Sequence, residues 1–284
     1  MHSDETKILQ RIESARNAYL EQDYKKAVDL YQWVEAQIQD DPVNLPIIQI
    51  ELGWSYYNIG DFRNCISYLD KSLASESLNV RQQFDCLRLI GFSYGALRDG
   101  KNALHFLRKA LEIELPENDK KYVNFEVGKI YFLNGAFTES WKYLDTVKKF
   151  FSWKEANYYQ AILYYQGFLA FYKKEYQHAE KLFTEIVDNA AGNENKASGY
   201  FGLAHLANQK RNYNELADIC KKILHLDKNF YDGETVLFFL CKAFIGLKRP
   251  GELAVFYAKL KGKYPDGRYQ NDYPIFDKVL SGGK

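Results

Sequence analysis

One period governs what this chain can fold into. Aligned on the small residue of the segment "GDFRNCISYL", the equivalent positions are Ala27, Cys65, Ala103, Ser140, Ala179, Leu216 and Leu253, separated by 38, 38, 37, 39, 37 and 37 residues. So regular an interval marks stacked structural repeats, and it takes precedence over the reading of single motifs. One copy cannot bury its own apolar face, so neighbouring copies must pack on one another.

The physics of one copy is legible in "ELGWSYYNIGDFRNCISYLDKSL", residues 51–73. Gly53 lets a neighbouring helix approach closely. Gly60, Asp61 and Phe62 make a tight turn plugged by a ring. Cys65 sits where two helices touch, and Leu69 fills the space between them. The expected unit is a helix–turn–helix hairpin. It recurs at Gly91, Tyr94, Ala103 and Leu107, at Gly128, Tyr131, Gly135, Phe137, Ser140 and Leu144, and at Gly167, Ala170, Tyr176, Ala179 and Phe183. The first, sixth and seventh copies are looser and keep Ala15, Ala204 and Cys241 at the small first-helix position.

At these residues the chain resembles the tetratricopeptide repeat family, over about residues 6–265. The departure is length: that family's repeat runs to about 34 residues, and these copies are longer. Because the spacing inside each copy is unchanged, the extra residues fall between one hairpin and the next, as an added helical turn. The resemblance implies an all-α fold, a right-handed α-solenoid of about seven hairpins spanning 1–265. Residues 266–284 break the pattern and read as a capping segment and tail, with Ile275, Phe276, Val279 and Leu280 covering the last repeat and "SGGK" trailing beyond it.

Composition narrows the functional classes. Lys+Arg is 38 against Asp+Glu 37, a balance that argues against a nucleic-acid partner. No run of about 18 apolar residues occurs, so no membrane insertion is expected. The N-terminal stretch is polar, Cys65, Cys86, Cys220 and Cys241 show no C-x-x-C spacing, and no N-x-S/T sequon is present. These features favour a cytoplasmic chain without a signal peptide.

The resemblance implies that the first helix of each hairpin lines a concave surface. Helix geometry then selects positions three before, and one, four and five after, the small first-helix residue. Twelve of these twenty-eight positions are aromatic, where the chain-wide 16% would give about four or five, and none is Asp or Glu. From this set the candidate partner-binding residues are Arg16, Trp54, Tyr57, Arg88, Phe92, Phe125, Lys129, Phe132, Tyr164, Phe168, Phe171, Tyr172, Phe201, His205 and Lys242. Rings with a few cations are the usual make-up of a recognition surface. The expected partner is another protein, presenting an extended or helical segment with apolar and acidic residues. The other reading is that the rings pack on each other and leave no open groove. Asp85, three residues before Arg88, is placed to neutralise that arginine.

The carboxylate clamp of chaperone-binding family members pairs a lysine three before the small position with an asparagine one after it. The corresponding pairs here, such as Ile50/Trp54 and Arg88/Phe92, include none of that type. No H-x-x-x-H, phosphate-loop, dinucleotide or G-x-S-x-G motif occurs, so neither a metal, a cofactor nor catalysis is expected. His105 and His178 are expected on second helices, and Cys65, Cys220 and Cys241 at buried packing positions. The expectation is a non-catalytic interaction scaffold or adaptor with an aromatic, weakly basic groove. Two alternatives stand beside it: a structural subunit binding through its ends or convex face, and a peptide-sensing regulator.

Overall fold

A computed structural model describes residues 2–282, with side chains from residue 5 onward. Gly283 and Lys284, the end of the expected tail, lie outside the described residues. Among the described residues there is no strand. Seven hairpins follow in order: α1 (His2–Leu20) with α2 (Tyr24–Gln37), α3 (Asn44–Asn58) with α4 (Phe62–Leu73), α5 (Val80–Ala96) with α6 (Gly100–Glu112), α7 (Lys121–Leu133) with α8 (Phe137–Lys148), α9 (Ala156–Tyr172) with α10 (Tyr176–Asn189), α11 (Asn193–Gln209) with α12 (Tyr213–Leu226), and α13 (Gly233–Gly246) with α14 (Pro250–Lys263). A short α15 (Tyr273–Leu280) closes the order. The chain divides into two compact units, one up to Val147 and one from Lys148 onward.

Each hairpin turns on the same backbone device. Gln22, Gly60, Arg98, Gly135, Lys174, Arg211 and Lys248 all adopt positive φ, between 54° and 81°. Each lies five residues before the aligned small position, as 60 lies before 65. Only two are glycine, although the left-handed conformation costs an L-residue about 1–2 kcal/mol. The next residue then caps the second helix: Asp23, Asp61, Asp99 and Asn212 each accept a hydrogen bond from the backbone N–H three residues on. Because the left-handed cost exceeds the chain entropy that glycine adds, Arg98→Gly and Lys174→Gly are each expected to stabilise the protein by about 0.5–1 kcal/mol. A rise in the urea midpoint at unchanged m-value would report it.

The two helices of a hairpin meet through a glycine and a bulky residue. A Cβ placed on Gly53, Gly91, Gly128 or Gly167 would lie 2.5–2.8 Å from the side chain of Leu69, Leu107, Leu144 or Phe183 respectively. All four bulky residues are buried. Rings twelve residues apart tie the same helices together: Tyr56 stacks on Tyr68, Tyr94 on Phe106 and Tyr131 on Tyr143, at 5.4–5.6 Å between centroids. All four cysteines are buried, and burial raises the thiol pKa of Cys65 to about 11 and of Cys86 to about 12.

The extra repeat length is in part the expected added helical turn. It takes the form of longer helices in α5, α9 and α11, 17 residues each. Elsewhere it forms connections, such as 113–120, and a 3-10 turn at Trp153–Glu155. At the C-terminal end, Phe276 is buried but Ile275, Val279 and Leu280 are exposed. The reason is helical phase: Tyr273 and Phe276, three apart, form the stripe that faces α14, and Phe276 lies 5.2 Å from the Tyr257 ring. Ile275 points away from that stripe, whereas Val279 and Leu280 lie beside it in the last turn of the helix and stay exposed.

Candidate functional site

Within each unit the first helices neighbour one another: α3 with α5 and α5 with α7 in the first unit, α9 with α11 and α11 with α13 in the second. The candidate residues therefore fall into two groups, one in each unit.

In the first unit, Tyr19, Ile47, Ile50, Glu51, Trp54, Gln82 and Asp85 line an open hollow of about 380 Å³ on the faces of α1, α3 and α5. Trp54 is half-buried in its wall, and the Arg88 guanidinium carbon lies 4.9 Å from the Trp54 ring centroid. Arg88 is not free: its Nε donates to Asp85 Oδ1 at 2.7 Å. Arg81 reaches the same carboxylate at 3.4 Å. Asn58 Nδ2 donates to the Tyr19 hydroxyl at 3.0 Å, bridging α3 to α1. Arg16 is exposed on α1.

Further along, Lys129 pairs with Glu126 at 2.7 Å. Tyr57 and Phe132 touch the turn rings Phe62 and Phe137, at 5.6 and 5.9 Å. Phe92 packs partly buried against the core, and Phe125 is buried.

The acids are what the sequence reading missed. Glu51, Asp85 and Glu126 lie just outside the positions selected by helical phase, and they return negative charge to the same face. For Asp85 and Glu126 the signal was the i, i+3 spacing to Arg88 and Lys129, which was recognised only for Asp85. Two of the cations counted as groove charge are thus already paired.

In the second unit the candidate rings converge. Phe168 and Phe201 are 5% and 4% exposed. His205 sits among rings, 5.3 Å from Phe168, 5.9 Å from Phe171, 4.8 Å from Phe201 and 4.9 Å from Phe239. The Tyr164 and Tyr231 hydroxyls hydrogen-bond each other, and Phe201 also touches Phe230 at 5.1 Å. Phe171 contacts the turn ring of Tyr176 at 5.7 Å. Tyr172 is 50% exposed at the end of α9. Asn208 carries a buried Oδ1 without a hydrogen-bond partner. Lys242 is partly buried with its Nζ 5.8 Å from the Phe238 ring centroid, and burial lowers its pKa against the pull of Asp272.

Burial lowers the His205 pKa from 6.5 to about 4, with Asp232 opposing. The unfolded chain therefore binds a proton that the folded chain refuses. Its contribution to stability is complete above pH 6.5 and is lost as pH falls towards 4. His205→Leu is expected to remove that part of the slope, so the difference between wild-type and variant stability changes by on the order of 3 kcal/mol across this window. Urea titrations at stepped pH read it directly.

Among the described residues no cluster of three His, Cys, Asp or Glu could hold a metal ion, and no helix is long and apolar enough to cross a membrane. His178 is on a second helix, 3.7 Å from Glu175, and His105 is exposed on another.

No protein-family model and no curated relative matches the chain. Solved structures do. The apo form of RapI is similar at 13% identity and a TM-score of 0.71, covering 96% of this chain and 81% of that one. The apo form of the quorum sensor NprR from B. thuringiensis is similar at 13% identity and a TM-score of 0.71, covering 97% and 81%. A tetratricopeptide repeat protein from Parabacteroides merdae is similar at 13% identity and a TM-score of 0.63, covering 96% and 97%. The fold is tetratricopeptide-like, an all-helical repeat of the α-solenoid class.

Proposed function

We propose that this chain is a non-catalytic interaction module that binds a segment of another protein on the first-helix face. The observation that carries the reading is the hollow beside Trp54, an open cavity walled by rings and polar groups on three successive first helices. A pocket with apolar walls and a few convergent polar groups is the usual form of a recognition site. Trp54, Tyr57, Phe92 and Phe132 in the first unit, and Phe171 and Tyr172 in the second, keep exposed surface for contact. The buried candidates Phe125, Phe168 and Phe201 support that face from beneath. Arg16 and Lys242 supply polar contacts. The acidic component expected of the partner has less basis, because Arg88 and Lys129 are already paired.

The sensing variant of this reading has one observation in its favour: the likeness to NprR, described as a quorum sensor. In that variant the same face takes a free peptide rather than a segment of a larger protein.

Selection of a displayed library of random dodecapeptides against the chain tests the proposal. Trp54→Ala, with an unchanged circular dichroism spectrum, is expected to weaken the selected peptides at least tenfold, since truncating a central aromatic anchor costs about 2 kcal/mol or more. Selected peptides that bind Trp54→Ala and Tyr172→Ala as well as wild type would place recognition elsewhere.

A further inference from the structure

A second open hollow, of about 520 Å³, lies in the second unit where the second helices α12 and α14 flank α13. None of the candidate residues of the first-helix face lines it. Its apolar part is recessed: Leu237 of α13 is 7% exposed and Leu224 of α12 is half-buried. The α14 wall is built from small residues one turn apart, Ala258 and Gly262. A Cβ added at Gly262 would meet nothing within 4 Å, so the space beside it is open.

The charged part of the lining has one sign. Lys228, Lys259 and Lys263 are exposed around the hollow, and no Asp or Glu lines it. Among the described residues none of the three has an ion pair. Lys261, on the opposite side of α14, gives the contrast: it is paired with Asp277 at 3.5 Å. Lys259 and Lys263 rest near the Phe256 and Tyr264 rings, at 5.2 and 5.5 Å from the centroids, which leaves ammonium donors for another acceptor. The helix dipole accounts for a cation in the last turn of α14, but not for an apolar hollow ringed by three of them.

Recessed apolar groups and exposed cations set the form of the occupant. It must push an apolar side chain inward and present negative charge at the rim. A flat anionic membrane would reach the lysines but not Leu237. We infer that this hollow docks an acidic segment of a partner protein. One apolar side chain of that segment seats over Leu237 and Leu224, and carboxylates flanking it pair with Lys228, Lys259 and Lys263. This is a second interaction surface, on the second-helix side of the repeats, and it does not depend on the reading of the first-helix face.

The test uses the full chain and peptides selected on it from the random dodecapeptide library. One class of selected peptides is expected to carry a Leu, Ile or Phe flanked by Asp or Glu. By fluorescence anisotropy, the triple variant Lys228→Gln/Lys259→Gln/Lys263→Gln should weaken this class at least tenfold, and added salt should weaken it too. Gly262→Leu fills the hollow at an exposed helical position where leucine is the better helix former, so it should block the class without loss of stability. Trp54→Ala should leave the class unchanged, which separates it from peptides of the first-helix face. Absence of an acidic class would overturn the inference. So would acidic peptides that bind Gly262→Leu as well as wild type, because their attraction would then owe nothing to the hollow. Sedimentation with vesicles of phosphatidylcholine and phosphatidylserine covers the other source of negative charge. Vesicle binding lost in the triple variant but kept in Gly262→Leu would assign the lysines to a lipid surface and overturn the inference as well.

Discussion

Replacing Gly202 with alanine is expected to destabilise the second unit by about 2–3 kcal/mol, although alanine is the better helix former by about 1 kcal/mol. Gly202 lies within α11, and a Cβ there would fall 2.2 Å from Cδ1 of Phe183. The ring has no room to yield. Gly167 of α9 lies against the same ring, where an added Cβ would come within 2.5 Å. Gly199, one turn before Gly202, would meet the Phe183 backbone oxygen at 2.9 Å. Phe183 is wholly buried between these close approaches.

Phe183→Leu should recover part of the Gly202→Ala loss, because the shorter side chain vacates the space the new methyl needs. A double-mutant cycle on urea midpoints would show coupling of about 1 kcal/mol or more. Additive losses would mean that the ring is not what makes glycine necessary at this position.

The second large effect is expected at Phe201. Its ring is 4% exposed and touches His205 at 4.8 Å, Phe230 at 5.1 Å, Tyr231 at 5.9 Å and Phe168 at 6.2 Å. Phe201→Ala should cost about 3–5 kcal/mol, the range for truncating a buried ring whose neighbours cannot close the cavity. Tyr172, half-exposed on α9, provides the contrast. Tyr172→Ala should change stability by about 0.5 kcal/mol or less, in keeping with an exposed position. The pair separates two jobs that the same aromatic pattern performs. A ring that holds the helices together reports in unfolding, and a ring that meets a partner reports in binding. Equal stability losses at both positions would deny Tyr172 its exposed character.

The repeat was legible because it depends on local and near-neighbour chemistry. Gly53 and Leu69, or Gly128 and Leu144, are read in sequence as small against large, and the structure puts them in contact. The Asp85–Arg88 pair was legible for the same reason, since three residues on a helix are neighbours by geometry. The left-handed turn residues were visible only where glycine marked them, at Gly60 and Gly135. Arg98 and Lys174 carry the same conformation with no compositional sign. Likewise nothing along the chain marks Gly202, because its reason lies in a ring on the preceding helix.

The candidate site was legible as a face but not as a set of roles. Helical phase alone gave Trp54, Phe168 and Tyr172 equal weight. Tertiary packing made one a cavity wall, one a buried ring and one an exposed edge. It also brought Glu51 into the hollow, where a count restricted to selected positions had found no acid. By itself, the chain's sequence determined the period, the hairpin and the side of each helix that faces its neighbours, because these follow from 3.6-residue geometry and residue size. Only the tertiary structure decided which rings stay open and which are buried, because that depends on distances between helices that no spacing along one helix records.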